Sequence, residues 1–89
     1  LTVSIYKLIS KFPKEELFGL VNQIKRSVVS IPSNIAEGSN RGNIHFKHYL
    51  NISLGSSFEL QTQLLIANQN KYITNENTRI LAATIPVKR

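Results

Sequence analysis

Two carboxylates stand apart in this chain, because Glu37 and Glu59 are the acids that fall outside the ends of the expected helices. Paired carboxyl groups are the usual engine of general acid–base catalysis. Glu59, however, sits among Ser and Gln on a helical segment, so an ion pair across a helix interface, with Arg26 or Arg41, accounts for it better than catalysis. His45 and His48 are spaced i,i+3 and would supply one edge of a metal site. The chain has no cysteine and lacks the further ligands zinc needs, so solvated or nucleic-acid-facing histidines fit better. Ser27, Ser30 and Ser33 have no histidine within helical reach, which argues against a serine nucleophile. Gly38 and Gly42, set among asparagines, suggest a phosphate cradle. No strand precedes them, and their spacing matches neither a P-loop nor a dinucleotide fingerprint. No catalytic residue, no metal and no cofactor is expected, and the chain reads as non-enzymatic.

What remains is a scatter of cations. Lys25 and Arg26, then Arg41, then Lys47 with His48 are the candidate nucleic-acid-binding residues, since the turn after Gly38 brings the last three towards one surface. Eleven Lys and Arg against five Asp and Glu give a net charge of +6, which favours polyanionic partners such as RNA, DNA or acidic lipid. The alternative stays open that Arg26 and Arg41 are bridged to Glu37 and Glu59 and are structural. Tyr6, Tyr49 and Tyr72 lie in different segments and are expected to pack into the fold, so no base-stacking platform is expected.

These residues need a scaffold, and 89 residues suffice for one domain that hides roughly 60–65% of its unfolded surface. With 42% hydrophobic and 18% charged residues the chain should fold on packing alone. Its longest apolar run, Leu64 to Ala67, is far too short to span a bilayer, and its start lacks the layout of a secretory signal. No membrane contact and a cytoplasmic location are the expectations.

Leu1, Ile5, Leu8, Ile9 and Phe12 recur at helical spacing, and Pro13 closes that first helix. The same Pro13 opens a second, with Glu15 and Glu16 in its first turn. Along it Leu17, Leu20, Val21, Ile24, Val28, Ile31 and Ile35 form one apolar stripe. Pro32 interrupts this pattern; the stripe keeps its phase, so one helix of about 24 residues kinked at Pro32 is favoured over a break. Gly38 to Asn43 reads as a turn, with Gly38 as a C-cap and Asn43 as an N-cap.

The third helix, about Ile44 to Asn68, is apolar on several faces: Phe46, Leu50, Ser53, Ser57, Leu60, Leu64 and Ala67; Leu54, Phe58 and Leu65; and Ile52 with Ile66 around Glu59. Such a helix expects cover on several sides, so an oligomer is predicted. Ser53, Gly55, Ser56 and Ser57 are small enough to admit a neighbouring backbone. Thr74 or Asn75 caps a short fourth helix holding Ile80 and Leu81, which Pro86 stops. The pattern is all-α, an antiparallel bundle.

Three stretches carry a specific resemblance: KFPKEELFGL from Lys11, SIPSNIAEG from Ser30 and LGSSFELQTQLLIA from Leu54, with Arg41 between the last two. They resemble the bacterial four-helix-bundle proteins encoded by intervening sequences inside 23S ribosomal RNA genes. The resemblance implies an up-down antiparallel four-helix bundle over residues 1–89, a ring-shaped homopentamer and no enzymatic activity. A related family, the accessory proteins of diversity-generating retroelements, is similar in fold and implies binding to nucleic acid and to a reverse transcriptase, by analogy only. Relatives have a longer first helix and a fourth that continues past the position of Pro86, so the chain reads as shortened at both ends. They also tend to carry an acid where this chain has His45, which makes the turn here more basic. The polar positions of the motif, Ser30, Asn34, Glu37, Glu59 and Gln63, are expected to be structural: Asn34 and Glu37 brace the end of helix two, and Glu59 and Gln63 answer them from helix three. Glu59→Ala is then expected to cost ~1–3 kcal/mol.

Overall fold

The computed structural model describes residues 1–85. Four α-helices follow in order, α1 (Thr2–Ile9), α2 (Asn22–Arg41), α3 (Asn43–Gln69) and α4 (Asn75–Thr84), with no strand among the described residues. The architecture is the all-α four-helix bundle that the sequence pattern and the resemblance imply. Its helices are unequal. α3 has 27 residues, about 40 Å at 1.5 Å per residue, and so runs the whole 42 Å length of the molecule. α2 packs antiparallel to it, and the much shorter α1 and α4 attach at the end where α2 begins and α3 ends.

Periodicity explains what is buried. Leu20 and Val21 of the turn before α2, with Ile24, Val28 and Ile31 of α2, share one core with Leu60, Leu64 and Ala67 of α3, and Ile5, Ile9 and Phe12 close over them from the α1 side. Ile73, Leu81 and Ile85 complete this core, and the Phe12 and Tyr72 rings pack with centroids 5.3 Å apart. Thr74 caps α4 by accepting from the Asn77 backbone N–H at 3.1 Å, which fixes the start of that helix as expected. Pro86, its expected stop, lies outside the described residues, as do the side chains of Leu17 and Asn43.

Three boundaries differ from the sequence reading. The second helix does not start at Pro13: a 3₁₀ turn (Lys14–Glu16) and a π turn (Leu17–Val21) precede it. The break falls at Gly19, whose φ of −102° and ψ of −105° are non-helical, whereas α2 runs on through Pro32. At the far end Gly38 is not a cap. α2 continues to Arg41 and a single residue, Gly42 at φ +82°, makes the turn into α3, a backbone conformation glycine adopts without a Cβ clash.

Candidate nucleic-acid interface

Between Gly38 and Ser56 the two long helices touch through small residues. A Cβ added at Gly38 would lie 2.9 Å from Tyr49 Cβ and 3.0 Å from Phe46 Cδ1, so α2 and α3 come closer here than alanine allows. Ser53, Ser56 and Ser57 are buried against α2, whereas Gly55 has open space around it and takes no part. Ser53 Oγ donates to the Ile31 carbonyl at 2.9 Å, beside Pro32, and Ser56 Oγ donates to Ser30 Oγ at 2.8 Å. Asn34 Nδ2 donates to the Ser30 carbonyl and to Ser30 Oγ at 2.8 and 2.9 Å. Ser30 and Asn34 are thus joined to each other, and Ser30 to α3, by hydrogen bonds.

The answering residues from α3 are not the expected ones. Ser53 and Ser56 make the cross-helix bonds, while Glu59 is exposed and forms no ion pair with Arg26, Arg41 or any other base among the described residues. Gln63 is buried, and its Oε1 has no hydrogen-bond partner. The reason is azimuth: Glu59 and Gln63 lie on the flank of α3, with Ser56 and Ile52, where a groove of about 470 Å³ separates them from Gln23, Arg26 and Ser27 of α2. Glu37 likewise stays within its own helix. It accepts from Arg41 Nε at 2.8 Å and pairs with Arg41 Nη2 at 2.7 Å. That hydrogen bond, followed by smaller contributions from Tyr49 and the Glu37 charge, raises the Arg41 guanidinium above its ordinary pKa.

The candidate cations do not form one patch. Lys25 and Arg26 are neighbours in sequence but point about 100° apart on α2. Lys25 faces α1, with Nζ 5.7 Å from the Tyr6 ring centroid, while Arg26 lines the groove on the opposite flank. Arg41, Lys47 and His48 are exposed within two turns of Gly42, and Lys25 lies about 24 Å from Arg41 along the α2 axis. One phosphate cannot meet all five. Among the described residues no group of three or more His, Cys, Asp or Glu is placed to hold a metal ion, and no helix is long and apolar enough to cross a membrane.

Sequence reasoning missed Tyr6, which is 41% exposed instead of packed within the bundle. Tyr49 and Tyr72 are half-buried, as expected. The signal was present: Tyr6 follows the core position Ile5 directly, and a residue beside the stripe is turned about 100° from it.

No curated protein matches this sequence. The family model described as 23S rRNA-intervening sequence protein matches residues 1–86, a span that takes in all four helices and the three motifs that carried the resemblance. The chain belongs to the 23S rRNA-intervening sequence protein family.

Proposed function

We propose that this family member is a non-enzymatic, self-associating helical bundle that binds RNA or DNA through its basic surface. One observation carries the reading. Arg41 has Glu37 as its ion-pair partner, and every other lysine and arginine among the described residues stands without a carboxylate within 4.0 Å. Cations that brace a fold are paired; cations left to solvent on a chain of net charge +6 are available to phosphates. The absence of chemistry is supported by the separation of the candidate groups, since Ser30 sits opposite Ser56, two turns along α3 from His48. Self-association is supported by the outer stripe of α3, where Leu54, Phe58 and Leu65 are each more than a third exposed. The ring of five rests on the family resemblance alone.

Salt titration of binding to ribosomal RNA fragments tests this directly. Log affinity should fall linearly with log salt, with a slope of ~0.7 per phosphate contacted on single strands. Arg41→Glu combined with Lys47→Glu should weaken binding and flatten that slope while circular dichroism and sedimentation stay unchanged. Unaltered binding by a folded double variant would remove the corner from the interface. Sedimentation at the 10.0 kDa of a single chain at micromolar concentration would remove self-association.

The exposed Leu54, Phe58 and Leu65 stripe favours a second reading, a protein-interaction scaffold with no nucleic-acid role. A reverse transcriptase enters as a partner only by fold-level analogy. Salt-insensitive binding of a protein partner, with no RNA binding, would be its signature.

A further inference from the structure

The face of α1 towards the start of α2 carries a constellation that the candidate cations above only touch. Tyr6 stands 41% exposed on it. One side opens into a concavity of about 350 Å³ with Lys14 and Lys25 on its walls and the core residues Ile9, Phe12 and Val21 as its floor. A second concavity, about 500 Å³, runs from Tyr6 along α1 past Lys7 and Val3. The ring is thus shared by two open spaces, each with lysine beside it. Neither Lys7, Lys14 nor Lys25 has a carboxylate within ion-pairing distance, although Glu15 and Glu16 follow Lys14 directly in sequence.

An accessible aromatic face next to an apolar floor, flanked by unpaired ammonium groups, has the chemistry of a flat ligand that carries phosphates. We infer that Tyr6 is a stacking platform for one base of a single-stranded nucleic acid, with Lys14 and Lys25 holding the adjoining phosphates and Lys7 the next along the strand. This rests on the nucleic-acid reading above and adds to it a base contact and an order of phosphate contacts along the strand. Stacking suits a ring in this position because every base has a π face, so the contact is tolerant of sequence. Lys25 now lies over the ring, a cation–π contact. Its flexible stem lets the ammonium exchange that face for a phosphate oxygen as the base arrives. A volume of about 350 Å³ falls within the ~300–1,000 Å³ of ligand-sized clefts. Double-stranded nucleic acid, whose bases are already stacked, offers no free face to the ring.

The test uses two fluorescein-labelled probes of equal length, an oligouridylate and an abasic ribose-phosphate oligomer, read by anisotropy. Tyr6→Leu is expected to weaken oligouridylate roughly 5- to 150-fold and to leave the abasic probe unchanged. Tyr6→Phe, which keeps the ring, should bind as the parent does. Lys14→Gln with Lys25→Gln should weaken both probes and reduce the salt slope by about 1.4, two phosphates at ~0.7 each. In the unmodified chain the Tyr6 ring protons should shift upfield when oligouridylate is added, a reading that needs no variant to fold. Tyr6→Leu that weakens both probes equally, or neither, overturns the stacking site, as does an unshifted Tyr6 resonance at saturation. If the parent binds both probes while Tyr6 is indifferent, nucleic-acid binding stands and this site falls. If the parent binds neither, the functional reading falls with it.

Discussion

The two ends of the α2–α3 hairpin are held together by different physics. At the end where α1 and α4 attach, large aliphatic side chains interlock: Ile5, Ile24, Val28, Leu60 and Leu64 are almost fully inaccessible, and removal of apolar surface from water is the main stabilising force. At the Gly42 end only two helices are present among the described residues, and two helices cannot enclose a wide core. Leu50, Ile52 and Leu54 remain 39–43% exposed. Cohesion there comes from close approach, with Gly38 against Tyr49 and Phe46, and from serine hydroxyls that bond across the gap. A thin region compensates for missing apolar volume with proximity and directed bonds, which makes it sensitive to a single methyl group. The same thinness leaves its outer faces apolar and open, consistent with the self-association proposed above.

The largest effect should come from the thick end. Leu64→Ala removes a side chain that is 1% exposed and leaves a cavity among neighbours fixed by four helices, a loss of ~2–5 kcal/mol. For a domain of this size that lowers the melting temperature by roughly 10 °C or more; a fall of a degree or two by calorimetry would show that α1 and α4 do not close over α3. Gly38→Ala comes next and addresses the thin end. Its helix-propensity gain of ~0.5–1 kcal/mol opposes an overpacking cost of ~1–3 kcal/mol. The cost should win, because Tyr49 Cβ is anchored to the α3 backbone and cannot swing away. Gly55→Ala is the control with the opposite sign, since nothing lies within 4 Å of its added Cβ and only the gain of ~0.5–1 kcal/mol remains. Urea midpoints that moved the same way for both glycines would refute close approach as the basis of the thin end. The smallest effect is expected at Glu59→Ala. This exposed side chain makes no ion pair among the described residues, so its stability change should stay within about 0.5 kcal/mol, not the ~1–3 kcal/mol that a buried partner would cost.

Much of this architecture was legible before any coordinate. The stripe from Ile24 to Ile31 announces the inner face of α2, the several apolar faces of α3 announce incomplete cover, and Thr74 announces the start of α4. Those are local signals, because a helix repeats every 3.6 residues whatever surrounds it. The motif peptides likewise identify the family, and with it the four-helix topology. Pro32 is carried inside α2, as the unbroken phase of the stripe implies, whereas Pro13 misled: the helix begins only after the break at Gly19.

The rest depended on which azimuth of one helix meets another, and at what distance. The family resemblance implied Ser30, Asn34, Glu37, Glu59 and Gln63 as one polar set, yet only packing decided that Ser53 and Ser56 reach across while Glu59 faces out and Gln63 turns into a groove. Gly38 reads as a helix terminator until α3 is seen 2.9 Å from where its Cβ would be. Lys25 and Arg26 read as one cluster until α1 claims one flank of α2 and α3 the other. Periodicity belongs to a single helix and is written in the chain itself; the distance between two helices is a joint property of both, and it exists only once they pack.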